Sequence, residues 1–202
     1  MEEKYFSAHE EEKIINKYLD KDPHMKSGTY VDIGAGEPIE NSNTYYYYLL
    51  GWRGIIIEPY PSYAQYLRDK RPEDIVEEIA ISDYDGTIEM CDSAAVDTFL
   101  GKEYKRRWPK RVRINTCLTL DSLIKKYPKY SNPDFFSLDV ETHEEKVLSK
   151  TDFNIFTPKV MLIECIARDK SYRQNWEHYL LPYYEYKEII GANAIYVRRN
   201  II

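Results

Sequence analysis

Thr29-Tyr30-Val31-Asp32-Ile33-Gly34-Ala35-Gly36 is the stretch on which the reading of this chain turns. Its first five residues are β-branched, aromatic or aliphatic apart from Asp32, which predicts a buried strand, and the glycines then cut it off in a tight turn. Ser42 follows as an N-cap for the tyrosine-rich helix that begins with Tyr45-Tyr46-Tyr47-Tyr48 and ends near Gly51.

Outward from there the same rhythm repeats. Gly54-Ile55-Ile56-Ile57-Glu58 predicts a second strand, Pro59 and Pro61 a break, and Ser62-Tyr63-Ala64-Gln65 a capping box for another helix. Ile75 to Ile81 predicts a third strand, closed by the turn formers Ser82-Asp83-Tyr84-Asp85-Gly86. Two more runs follow, Asp134 to Asp139 and Lys159 to Glu164, with Thr142-His143-Glu144-Glu145 opening a helix between them. After a helix at Ser171 to Leu181, Tyr184–Ile190 and Ala194–Arg198 flank Gly191-Ala192-Asn193 in the pattern of a β-hairpin. On the N-terminal side, Ser7-Ala8-His9-Glu10 reads as a capping box for a helix carrying Ile14, Ile15, Tyr18 and Leu19 on one face. Strands alternating with helices predict an α/β fold: a mainly parallel sheet covered by helices on both faces, with an antiparallel strand added at the C-terminal end.

Composition narrows the classes. The 202 residues, 43% of them hydrophobic, suit a single domain over 1–202, with 1–28 as an N-terminal helical extension and 93–113 as a basic insertion. A formal charge of −6 disfavours bulk electrostatic coating of nucleic acid. Three widely separated cysteines, Cys91, Cys117 and Cys165, imply neither a disulfide framework nor a zinc cluster. The charged N-terminus and the shortness of the apolar runs predict a soluble, cytoplasmic protein without a membrane span.

In an open parallel sheet, ligands bind beyond the carboxyl ends of the strands. Asp32, Glu58, Asp83, Asp139 and Glu164 all stand at or just past predicted strand ends, an acidic rim suited to a positively charged ligand. The turn Gly34-Ala35-Gly36 lets backbone approach a nucleoside closely, and Glu58 follows it by roughly 20 residues, the spacing at which an acid meets ribose hydroxyls. The same turn would also serve any strand-to-helix junction. A nicotinamide or flavin dinucleotide fits poorly: Ile39 stands where the third glycine belongs, and Glu37 would repel a pyrophosphate.

Val31-Asp32-Ile33-Gly34-Ala35-Gly36, Ser42-Asn43-Thr44-Tyr45, Gly51-Trp52-Arg53-Gly54-Ile55 and Glu58-Pro59 together resemble FkbM-type methyltransferases. The resemblance continues, in order, through Arg71-Pro72, Ala80-Ile81-Ser82, Thr119-Leu120 with Leu123, Phe136-Ser137-Leu138-Asp139-Val140-Glu141 with His143-Glu144, Pro158-Lys159-Val160 and Ile163-Glu164. It covers about residues 29–165 and implies a Rossmann-like class I methyltransferase fold, S-adenosylmethionine (SAM) as cofactor and, commonly, O-methylation. Three positions depart from the family pattern: Thr142 replaces the usual glycine, Asp97-Thr98-Phe99 replaces Asn-Thr-Phe, and Gly36-Glu37-Pro38 replaces the commoner Asn or His loops.

By resemblance and position, the cofactor set is Asp32, Gly34, Ala35, Gly36, Asn43, Glu58, Pro59, Ser82 and Asp83. Asp32 would hold the loop or meet the methionine end, Glu58 the ribose, and Ser82 with Asp83 the adenine. Ser42-Asn43-Thr44 would serve equally as a helix start. Methyl transfer is an in-line displacement, so the enzyme must align a nucleophile and remove its proton. Asp139, Glu141 and His143 are the catalytic candidates, and Asp139 with Glu164 could hold a hard cation such as Mg²⁺ instead. His143 could equally be a merely polar residue of its helix start, and Glu141 and Glu144 could simply favour the positive end of that helix. Lys102, Lys105, Arg106, Arg107, Lys110, Arg111 and Arg113, with Tyr104 and Trp108 between them, could meet a phosphate-bearing acceptor or form a solvated surface. The function expected is methylation of a sugar or glycoconjugate hydroxyl. The alternatives are an RNA or nucleotide-linked acceptor and a catalytically silent SAM-binding module that binds a partner.

Overall fold

The computed structural model describes residues 4–19, 27–91, 98–99, 112–165 and 170–199. In chain order the elements are α1 (Glu11–Tyr18), β1 (Thr29–Ile33), α2 (Tyr45–Leu49), β2 (Arg53–Ile57), α3 (Pro61–Lys70), β3 (Ile75–Glu77), β4 (Ala80–Ile81) and β5 (Gly86–Cys91). They continue with β6 (Thr98–Phe99), β7 (Val112–Leu118), α4 (Leu120–Lys126), β8 (Phe135–Leu138), α5 (Glu144–Ser149), β9 (Val160–Glu164), α6 (Lys170–Leu180), β10 (Tyr184–Ile190) and β11 (Asn193–Arg198).

A seven-stranded sheet runs β10-β11-β9-β8-β1-β2-β3. β1 pairs parallel with β2 and β8, β8 with β9, and β2 with β3, whereas β11 lies antiparallel to β9. The sheet is Rossmann-like, its strand order reversing beside β1. The antiparallel strand is not the outermost one: β11 is inserted between β9 and β10, so the hairpin returns its first strand, β10, to the edge.

Alternation along each strand builds the two cores. Tyr30, Ile56, Phe135, Leu162 and Ile195 point to one face and pack with Ile15 of α1, Tyr46 and Tyr47 of α2 and Leu67 of α3. Their neighbours Val31, Ile55, Phe136, Ile163 and Tyr196 point to the other face, against Leu123 of α4, Val147 of α5 and Trp176 of α6. The strands are therefore buried on both sides, which is why they read as unbroken apolar runs.

Three local expectations needed revision. Ile75–Ile81 is two strands, because after Glu77 the chain leaves the main sheet and β4 pairs with β7. β4, β7, β5 and β6 form a second, four-stranded sheet that the sequence reading lacked. The capping boxes differ in their partners: Ser7 donates its N–H and its hydroxyl to Glu12 and accepts the N–H of Glu11 on Oγ, while Glu10 N donates to Ser7 O at 3.4 Å. Likewise α3 starts at Pro61 rather than beyond Ser62, and α5 starts at Glu144 behind His143. Thr44, and not Ser42 as expected, holds the N-cap position of α2; Ser42 stands two residues ahead and accepts from Tyr45 N at 3.2 Å and Thr44 N at 3.4 Å. Among the described residues, no helix is long and apolar enough to cross a membrane.

Candidate active site

Parallel register sets the site. Ile33 is level with Ile57 and Leu138, and Leu138 with Ile163, so the residues that follow, Gly34, Glu58, Asp139 and Glu164, line one edge of the sheet. Gly34 N donates to Ile57 O at 2.9 Å and Asp139 N to Ile33 O at 2.9 Å, carrying the ladder one step past the strands.

The two glycines have different duties. At Gly34 (φ +79°) an added Cβ would stand 1.6 Å from the Asp139 carbonyl oxygen, so this residue lets β1 and the end of β8 close together. At Gly36 (φ +58°) the same atom would meet nothing within 4 Å. The backbone of the same residue is held by the carboxylate of Glu58, whose Oε2 accepts from Gly36 N at 2.8 Å and whose Oε1 accepts from Tyr60 N at 2.7 Å. Glu58 is only 5% exposed, so these bonds hold its carboxylate in place at the turn. Ala35 lies between the glycines, its N–H 3.3 Å from Ile57 O. Pro59 gives its carbonyl to Arg113 Nη1 at 3.0 Å, and that guanidinium lies 4.6 Å from the centre of the Tyr60 ring. Arg113 thus packs inward against the Glu58–Tyr60 turn. Lys102 to Arg111 lie outside the described residues.

Asp32 sits one residue inside β1 and is buried. Thr44 Oγ1 donates to it at 2.5 Å, and Ser137 adds a second bond. Burial pushes its pKa up, against the Arg71 charge and both hydroxyls. Arg71 is completely buried and ion-paired with Asp74 at 2.9 Å. Its Nη2 also donates to Tyr30 at 2.8 Å and Thr44 at 3.0 Å. A buried guanidinium left with one carboxylate would be costly, and these further bonds offset that cost. Asn43 Nδ2 donates to Ser137 Oγ at 3.1 Å, so Asn43 supports the neighbour of Asp32.

The acceptor-side candidates divide. Asp139 and Glu164 hydrogen-bond each other, and burial raises both pKa values, Glu164 further because the negative Asp139 is beside it. Two carboxylates in one dry site retain a proton. Asp139, Glu144 and Glu164 each place one oxygen within 4.8 Å of the others. Glu144, fully buried, accepts from Val140 N at 3.1 Å and from the Tyr172 hydroxyl. Glu141 and Thr142 both take positive φ, 53° and 76°. Position 142 is where the resemblance expects glycine, and a non-glycine residue there costs about 1–2 kcal/mol. His143 turns elsewhere: its Nε2 lies 3.0 Å from Ser82 Oγ, beside the Asp83–Lys146 ion pair at 3.1 Å. Burial lowers its pKa to about 4, so the ring is neutral at neutral pH. Burial opposes the charge of Asp83, but Lys146 and Ser82 outweigh it and hold its pKa down.

The protonated dyad has a measurable consequence. A carboxyl whose pKa is raised in the folded state contributes stability below its unfolded pKa and loses it as pH climbs toward the folded value. Glu164→Gln mimics the protonated form, so its melting temperature relative to wild type should rise steadily between pH 5 and pH 9. A flat difference across that range would contradict the shared proton.

The chain matches the methyltransferase FkbM domain over residues 32–190, well over half its length. It belongs to this family. SAM is therefore the cofactor of this FkbM methyltransferase, in agreement with the resemblance in its motifs. No curated protein sequence matches the chain. Among solved structures, it is similar to the precorrin-6y C5,15-methyltransferase of Geobacter metallireducens GS-15, at 12% identity and TM-score 0.48, covering 98% of this chain and 90% of that one. An O-methyltransferase from Bacillus cereus in complex with SAH gives 11% identity and TM-score 0.43, with coverages of 96% and 84%. The TehB-like SAM-dependent methyltransferase of Corynebacterium glutamicum ATCC 13032 Kitasato gives 11% and 0.44, with coverages of 85% and 80%.

Proposed function

We propose that this methyltransferase methylates a hydroxyl of a sugar or glycoconjugate, a small-molecule or glycan acceptor, with Asp139 receiving the hydroxyl proton. What carries the reading is the alignment of an open glycine turn and its carboxylate, Gly36 and Glu58, with a buried acid pair, Asp139 and Glu164, on one sheet edge. In this reading Asp32, Gly34, Ala35, Gly36, Asn43, Glu58, Pro59, Ser82 and Asp83 form or brace the cofactor site. SAM supplies a methyl group made electrophilic by its sulfonium. Glu58 meets the ribose hydroxyls while still holding the turn through Gly36 and Tyr60. Asp32 contributes negative charge behind the turn, kept in place by Thr44 and Ser137.

An alcohol is a weak acid, so a base poised above the ordinary carboxylate range removes its proton more effectively. Desolvation supplies that poise at Asp139, and the neutral Glu164 steadies the anion by donating to it. Glu141 borders the same turn. The oxygens of Asp139, Glu144 and Glu164 also form the hard donor set that Mg²⁺ takes, and such an ion would acidify the hydroxyl at this place.

Incubation with methyl-labelled SAM and fractionated extract, with and without EDTA, tests the reading. The label should enter the carbohydrate fraction in an alkali-stable form, as an ether and not an ester. Ribonuclease-sensitive label would favour the RNA-acceptor reading, and no label in any fraction the silent module. Loss of labelling with EDTA would assign the metal. Independently, Glu58→Ala should weaken S-adenosylhomocysteine binding in calorimetry by about 10- to 100-fold, the value of hydrogen bonds to a charged group. An unchanged affinity would remove Glu58 from the cofactor site.

A further inference from the structure

His143 stands immediately before α5, after the turn that bears Asp139 and Glu141, yet its ring reaches Ser82 on the other side of that turn. The segment Asp139–Glu144 crosses between them through the left-handed residues Glu141 and Thr142. Two bonds fasten it: Glu144 Oε1 accepts from Val140 N at 3.1 Å, and His143 Nε2 lies 3.0 Å from Ser82 Oγ. Ser82 is fully buried, and its N–H donates to Leu118 O at 2.9 Å, anchoring it to the second sheet. Its hydroxyl donates to Asp83 Oδ1 at 3.1 Å, which leaves the oxygen to accept a proton from His143 Nε2–H. The tautomer follows from that network. A ring nitrogen that holds Ser82 in this way has no lone pair with which to take a proton from an acceptor.

We propose that His143 is a positioning residue of the cofactor site, fixing through Ser82 the Ser82–Asp83 edge against which the adenine lies. The proposal rests on the cofactor reading above. The chain Thr142-His143 then ties the nucleoside end of the pocket to the turn that bears Asp139 and Glu141, so both halves of the site share one brace. On the other flank, Lys146 from α5 holds Asp83 through Oδ2 at 3.1 Å. Asp83 is therefore held from two sides, by Ser82 and by Lys146.

Binding of S-adenosylhomocysteine separates the two roles because it needs no acceptor. A base acting on the acceptor hydroxyl leaves this affinity untouched, whereas a brace for the adenine edge does not. His143→Leu, apolar and of similar bulk, should weaken binding about tenfold in calorimetry, the value of one hydrogen bond. His143→Gln, whose amide N–H can still donate to Ser82, should bind within about twofold of wild type. Wild-type affinity in His143→Leu would overturn the proposal. If that variant does not fold, Ser82→Ala deletes the same bond, and adding His143→Ala to it should weaken binding no further. Additive losses would overturn the proposal equally. Failure of the wild-type protein to bind the nucleoside would instead defeat the cofactor reading itself.

Discussion

Asp139→Ala is expected to cut methyl transfer by about 10²- to 10⁴-fold, the usual contribution of a positioned base, while S-adenosylhomocysteine binds as it does to wild type. The expectation rests on position. Asp139 follows β8 at the level of Gly34 but bonds Glu164 at the end of β9, on the side of β8 away from the Gly36–Glu58 contact between β1 and β2. Burial still raises the Glu164 pKa in this variant, but the part of the rise due to the Asp139 charge and hydrogen bond is lost, so Glu164 should ionise at lower pH than in wild type. A weak residual activity rising with pH would then reflect Glu164 acting in its place. Labelled transfer into the fraction that wild type methylates, measured beside calorimetry on the same preparation, reads both quantities. Turnover equal to wild type would remove Asp139 from the mechanism.

The second large effect is structural. Gly34→Ala should cost at least about 4 kcal/mol and lower the melting temperature by about 10 °C or more, because the new methyl group must displace backbone and not a flexible side chain. The offending atom is the Asp139 carbonyl oxygen, 1.6 Å from the ideal Cβ position, and Asp139 N is itself tied to Ile33. Either β1 and β8 part or the turn unwinds. Gly36→Ala makes a sharp contrast: it meets nothing within 4 Å, so it pays only the left-handed backbone penalty of about 1–2 kcal/mol. Its damage should appear in nucleoside affinity, since the methyl group enters the open space at the turn that Glu58 holds. Thermal melts of both variants decide the matter, and similar destabilisation by the two would refute the assignment of duties.

Much of this was legible in the residues. Buried parallel strands announce themselves as continuous apolar runs, and acids at their ends mark the ligand edge, so Asp32, Glu58, Asp139 and Glu164 could be picked out before any coordinates. Cross-strand partnerships were not legible. Ser137 and Thr44 around Asp32, and Arg71 buried between Tyr30 and Asp74, come from segments far apart in sequence with nothing local to pair them. Glu144 looked like an acid placed for a helix end, but it is a fully buried acceptor for Val140 N that stands beside Asp139 and Glu164. The departure at Thr142 was visible, and its meaning came with the positive φ that position demands.

The order of apolar runs, turns and strand-end acids was enough to define a Rossmann-like sheet and the edge along which those acids stand, because both follow from local periodicity and from the fixed direction of parallel strands. Which acids share a proton, which glycine is packed and which is open, and whether His143 turns toward Asp139 or toward Ser82 depend on distances between segments distant in the chain. Those distances arise from strand register and helix docking, and a one-dimensional pattern holds no record of them.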